Sequence, residues 1–192
     1  MNFLAHTLLS GDDVDLMIGN FIADYVKGNK KDHYPEPIRK GIILHRYIDD
    51  FTDHHPVQLK SRHRLFERHG HYSGVLVDLF YDHFIAKNFH EFSSVSLEEF
   101  TTRTYNLLIQ NAEFLPERVK EFLPFMIEKN WMLSYESLEG LDRALKGLSR
   151  RVSFENRMDT AILDLKQGYK LFEADFRAFW PQLRTFVDSQ LK

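Results

Sequence analysis

The sequence predicts an all-α fold, a single-domain multi-helix bundle over residues 1–192, and three observations carry that expectation. Apolar residues recur at helical spacing in almost every segment. No alternating run is bounded by Asn-Gly or Asp-Gly, so strand signals are nearly absent. No internal repeat or low-complexity linker divides the chain. A composition of 43% hydrophobic residues, with 17 Phe against 9 Gly and 6 Pro, can bury a sizeable core and excludes a disordered or collagen-like chain.

The elements follow in order, roughly seven to nine helices in all. Residues 12–27 place Val14, Met17, Ile18, Phe21, Ile22 and Tyr25 on one stripe, closed by Gly28-Asn29. Residues 36–53 follow Pro35 and Pro37 at a helix entrance and offer Ile38, Ile42, Ile43, Tyr47 and Ile48 to the core. Pro56 opens another helix, ending near Gly70. Residues 73–90 are apolar around most of their circumference, the pattern of a central helix. Ser96 and Glu99 form a capping box ahead of a run to about Leu115. Pro116 starts a helix over 116–132 in which Pro124 should introduce a kink. A shorter helix near 135–149 precedes a long one from about 154, interrupted or bent near Pro181. Phe114, Phe122, Phe125, Trp131, Phe172, Phe176, Phe179 and Trp180 read as core of this second half.

The absence of Cys rules out a disulfide scaffold, an iron–sulfur cluster, a thiolate zinc site and a Cys nucleophile. Apolar runs are too short to span a bilayer, and the N-terminal residues lack the features of a signal peptide, so no membrane role is expected and the location expected is cytoplasmic. A net charge of −3 argues against a nucleic-acid partner. Charge is nonetheless lopsided. Between Lys27 and Arg68 ten Lys/Arg face six Asp/Glu, so this stretch carries +4 and the remainder −7. All ten histidines also lie within the first 90 residues. A basic, His-rich half suggests an anionic partner, although such a face can also be simply solvated.

Three pairs of polar side chains stand four residues apart on apolar segments: Asn20/Asp24, His45/Asp49 and Asp78/Asp82. Residues at i and i+4 share a helix face, so each pair aims at one point. Buried carboxylates demand a cation, an Arg or a metal. Asp53 adds an acid on the His45/Asp49 side of its helix, while His83 points elsewhere around its own. Imidazole and carboxylate without thiolate form the ligand set of Mn²⁺, Fe²⁺, Mg²⁺ or catalytic Zn²⁺. Taken singly each pair is an ordinary helix contact; together, beside the His-rich block, they suggest a metal site. His6, in an apolar N-terminal segment, reads as a hydrogen-bonded core residue, and His63, His69 and His71 as solvated on a basic helix. Ser-nucleophile, phosphate-loop and zincin motifs are absent.

Five segments in order resemble the acyl carrier protein phosphodiesterase family: Met1 to His6, Gly19 to Asp24 with Val26-Lys27-Gly28, Gly41 to Asp49, Phe51 to Pro56, and Tyr81 to Ala86. The resemblance runs through the chain and is densest over residues 1–90. It implies an HD-phosphohydrolase-like helical fold that uses a divalent cation, most often Mn²⁺. The implied reaction hydrolyses the phosphodiester joining 4′-phosphopantetheine to a serine of holo-acyl carrier protein. The adjacent His-Asp doublet of the wider superfamily is absent; its nearest equivalents are the reversed Asp82-His83 and the spaced His45/Asp49. On this reading Asp24, His45, Asp49 and Asp82 are catalytic and, with His83, hold the metal. Asn20, Arg46 and Asp53 meet substrate, and Lys30, Lys31, Arg39 and Lys40 steer the acidic carrier protein, with Lys146, Arg150 and Arg151 as a second basic group. Two other classes compete: an HD-type nucleotide or ppGpp phosphohydrolase, and a non-catalytic helical adaptor for an acidic partner.

Overall fold

Ten α-helices joined by short 3₁₀ turns make up the chain in a computed structural model that describes residues 1–192. They are α1 (Phe3–Leu9), α2 (Val14–Ile22), α3 (Glu36–His54), α4 (Pro56–His69), α5 (Ser73–Lys87), α6 (Leu97–Gln110), α7 (Glu117–Glu128), α8 (Trp131–Ser134), α9 (Leu138–Arg151) and α10 (Ala161–Gln190). No strand is present.

The expected central helix is α5. From Leu76 to Ala86 every residue except Asp78 is buried, and its aromatic side chains interlock with α10. Phe80 meets Phe172 edge-on at 5.2 Å between centroids, and Phe84 stacks on Phe176 at 5.6 Å. Each such ring buries enough apolar area to contribute roughly 1.5–3 kcal/mol. Asp175 is the one acid buried in this half of the interface, and Ser61, Lys60 and Arg64 of α4 satisfy it.

The helices that place the site are α2 and α3, which approach backbone to backbone. A β-carbon at Gly19 would lie 2.0 Å from the Ile38 carbonyl oxygen, and one at Gly41 would lie 2.2 Å from that of Leu16. Only glycine at both positions permits this approach, and it sets Asn20 of α2 against His45 of α3.

Several expectations are corrected. The stripe over 12–27 ends as an α-helix at Ile22 and tightens into a 3₁₀ turn, Ala23–Tyr25, so Asp24 lies outside the helix. Pro181 does not interrupt α10, which runs unbroken for 30 residues. Phe179, Trp180 and Leu183 are buried on either side of it, and their packing offsets the lost hydrogen bond. Phe125 is not core: it is 62% exposed, because α7 buries Val119, Leu123 and Met126 and turns residue 125 outward. Phe114, Phe122 and Trp131 are only partly buried. His69 is buried, with Nε2 2.9 Å from Asp164.

Candidate metal centre

Asn20 is the organising residue, fully buried between α1 and α3. Its Nδ2 donates to the His6 carbonyl at 2.8 Å and to Ser10 Oγ at 3.0 Å, which fixes the orientation of the amide. Its Oδ1 must then accept, and it lies 2.8 Å from His6 Nδ1 and 3.2 Å from His45 Nδ1. The Asn20 main-chain oxygen lies 2.8 Å from the same His45 Nδ1. Since all these oxygens accept only, both histidines carry a proton on Nδ1. In the neutral rings both Nε2 atoms are therefore lone-pair donors, as in metal-ligating histidines anchored through the other nitrogen.

The two rings stack at 3.9 Å with 13° between their planes, so the Nε2 atoms face the same way. Both meet Asp49. His6 Nε2 lies 3.2 Å from Oδ1 and His45 Nε2 3.1 Å from Oδ2. His45 Nε2 is also 3.3 Å from Asp24 Oδ1. Burial disfavours the His45 imidazolium, yet Asp24 and Asp49 outweigh it and raise its pKa to about 9. Burial together with the neighbouring His45 charge lowers His6 to about 4. Asp49 resists burial and stays well below the usual carboxylate range because the His45 imidazolium and the Met1 ammonium face it.

One proton on His45 thus satisfies half of the cluster. His6 Nε2 is a buried nitrogen with no hydrogen-bond partner, its lone pair aimed at an ionised carboxylate. That repulsion is relieved by a cation between the two groups. His6, His45 and Asp49 are the residues whose ligand atoms all lie within 4.8 Å of one another, and the donor set suits a divalent ion. The Met1 α-ammonium already approaches as a cation, 3.4 Å from both Asp49 and Asp78.

Other expected site residues fall elsewhere. Asp82 is buried on α5, and its two oxygens accept the main-chain N–H groups of Leu4 at 2.9 Å and Ala5 at 3.2 Å. It closes the open first turn of α1, whose own N-cap residue Asn2 makes no side-chain capping bond, and so holds His6 in place. Burial raises its pKa to about 7 despite those two donors. His83 is corrected outright as a ligand. Its Nδ1 bonds the Tyr135 carbonyl at 2.7 Å and its Nε2 the Tyr169 hydroxyl at 2.9 Å, which commits both ring nitrogens. Arg46, exposed, donates one Nη to the Val26 carbonyl at 3.1 Å, and Asp53 pairs with Arg62. Lys30, Lys31, Arg39 and Lys40 lie around the start of α3, where Lys31 pairs with Asp32 and Lys40 with Glu36.

Sequence reasoning assigned His6 correctly at one ring nitrogen and left the other out. His6 is a hydrogen-bonded core histidine through Nδ1 and a candidate ligand through Nε2. A signal was present: His6 and Ser10 are also polar residues four apart on an apolar helix, and both bond Asn20.

A family model described as acyl carrier protein phosphodiesterase matches residues 1–183. Proteins named acyl carrier protein phosphodiesterase align along nearly their whole length. That of Photorhabdus laumondii is 30% identical over 184 residues, 95% of this chain and 93% of its own. Those of Serratia proteamaculans and Pectobacterium atrosepticum are 27% and 28% identical, covering 95% and 99% of both chains. No solved structure matches the chain. With the match extending across both the paired glycines and the histidine cluster, the chain belongs to the acyl carrier protein phosphodiesterase family.

Proposed function

We propose that this protein hydrolyses the phosphodiester joining 4′-phosphopantetheine to a carrier-protein serine, using a divalent cation held by His6, His45 and Asp49. The observation that carries this reading is the convergence of two Nδ1-anchored histidines on one carboxylate, with His6 Nε2 left unpaired. Mn²⁺ is the cation proposed, with Mg²⁺ or Fe²⁺ as substitutes. When bound, such an ion neutralises phosphoryl charge and acidifies a water.

The chain's own groups supply the rest. Asp24 reaches His45 Nε2 with one oxygen, while most of its side chain stays in solvent, so it can take a proton from water at the mouth of the site. In the metal-free fold His45 holds Asp24 below the usual carboxylate range despite partial burial, so Asp24 is ionised at neutral pH. Attack by water at phosphorus breaks the bond to the serine oxygen, which leaves with a proton and regenerates the hydroxyl. Asp82 and Asn20 position His6 and His45 without touching substrate. Lys30 and Lys40, exposed, and Lys31 and Arg39, partly buried, add long-range attraction for an acidic partner.

The test is incubation with purified holo-acyl carrier protein and Mn²⁺, followed by intact-protein mass spectrometry. A carrier mass reduced by one phosphopantetheine supports the reading. A carrier of unchanged mass beside a cleaved nucleotide supports the nucleotide phosphohydrolase instead.

A further inference from the structure

We infer that the cavity between α5 and α9 seats the linear, amide-containing arm of the substrate, with the arginines of α9 turned toward the carrier's acidic surface. This rests on the function proposed above and adds where that substrate lies. The cavity encloses about 660 Å³, within the range of roughly 300–1,000 Å³ usual for small-ligand sites. Its walls combine apolar Phe3, Val75, Leu79 and Trp131 with polar Asn2 and Ser134, a mixture suited to an arm of methylenes and amides.

The cavity and the candidate centre share chain neighbours at two places. Asn2 and Phe3 directly follow Met1, whose ammonium touches Asp49, and Leu79 follows Asp78, the other carboxylate on that ammonium. From the Asp24 side an aromatic row leads to the rim. Tyr25 lies 5.4 Å from Phe122, Phe122 stacks on Trp131 at 6.1 Å, and the Arg151 guanidinium sits 4.6 Å over Trp131.

The α9 wall carries two independent signs of a missing occupant. Arg143, Arg150 and Arg151 share one helix face, and none pairs with an acid; Arg150 spends its Nε on the Lys146 carbonyl. Gly147 lies among them inside the helix, where glycine is less favourable than alanine. A β-carbon at Gly140 would collide with the Ser134 carbonyl at 1.8 Å, so that glycine serves packing. A β-carbon at Gly147 meets nothing within 4 Å. Gly147 leaves open a space that no protein atom fills.

The probe is pantetheine, which carries the arm without the phosphodiester, titrated calorimetrically into the wild type, Gly147→Leu, Val75→Trp and Gly147→Ala. Circular dichroism checks that each variant is folded. The expected result is binding by the wild type and Gly147→Ala, weakened about tenfold or more by the two bulky changes on opposite walls. With holo-carrier as substrate, the same two variants should raise KM while hydrolysis of bis(p-nitrophenyl) phosphate, which has no arm, is unchanged. No pantetheine binding by the wild type, or equal binding by all folded variants, overturns the inference, even if the carrier is cleaved. Conversely, wild-type binding that Gly147→Leu removes upholds the seat even if carrier cleavage fails, so the two readings fail separately.

Discussion

Two buried histidine environments flank the central helices, and they differ in what is left over. At His83 both ring nitrogens are committed, one to a carbonyl and one to a tyrosine hydroxyl, and nothing more is required. At His6 and His45 the Nδ1 atoms are committed to Asn20, while both Nε2 atoms converge on Asp49 with one lacking any partner. Both regions are buried, polar and histidine-bearing. The difference teaches that the candidate site is marked by uncompensated polarity, and that a satisfied histidine is a strut.

The largest effects should separate these regions by activity. His45→Ala, His6→Ala and Asp49→Asn are each expected to lower carrier hydrolysis about a thousandfold or more, as ligand loss removes the cation. Rates are compared per folded molecule, because these variants also lose the pairing of His45 with Asp24 and Asp49. His83→Ala should do the opposite, leaving the rate per folded molecule within about twofold and costing roughly 1–3 kcal/mol through the unpaired Tyr135 carbonyl and Tyr169 hydroxyl. Turnover and thermal melting on the same preparations measure both quantities. A dead but stable His83→Ala would erase the distinction.

Next in size is the joint that builds the cluster. Gly41→Ala forces a methyl into the Leu16 carbonyl and should cost about 3 kcal/mol or more, seen as a large drop in the urea midpoint. In the apolar half, Phe176→Ala is expected to cost ~3–5 kcal/mol, whereas Phe125→Ala, at an exposed ring, should stay within about 0.5 kcal/mol.

How much of this was legible in the sequence follows from the range of the forces involved. Helical periodicity is local, so α3 and α4 lie close to their expected bounds, while α5 stops at Lys87 and α6 at Gln110, short of the expected 90 and 115. The i, i+4 logic also found His45/Asp49, because both partners lie on one helix. It failed at Asp82 and His83, which share a helix with no member of the cluster and turn to α1 and Tyr169 instead. His6 was missed as a ligand because its partners are 14 residues away at Asn20 and farther still at Asp49. The contact of Gly19 with Gly41 brings α2 onto α3, and a glycine's role as a contact point is not written in its neighbours. Phe125 shows the remaining error: aromatic character alone does not say which side of a helix faces inward.

The smallest expected effect is a pH dependence confined to the first region. His45 in the metal-free fold has its pKa raised to about 9, above the unfolded value near 6.5. Its stabilising pairing is therefore complete below about pH 6.5 and is lost as pH rises through about 9. A cation must displace that same proton, so Mn²⁺ affinity should climb with pH up to about 9, with about one proton released per ion near neutrality. Calorimetry in buffers of different ionisation enthalpy counts the proton. His83→Ala should leave the trend intact, and a flat affinity between pH 6 and 9 would remove His45 from the ligand set.

The central claim, that the unpaired nitrogen of His6 and not His83 belongs to the metal centre, is tested most directly by Mn²⁺ binding followed by electron paramagnetic resonance. Wild type, His6→Ala and His83→Ala are titrated at one pH after each is shown to be folded. The account predicts tight binding by wild type and His83→Ala, and binding weakened by about 10–100-fold or more in His6→Ala. Wild-type affinity in His6→Ala, or loss of the ion in a folded His83→Ala, would contradict it.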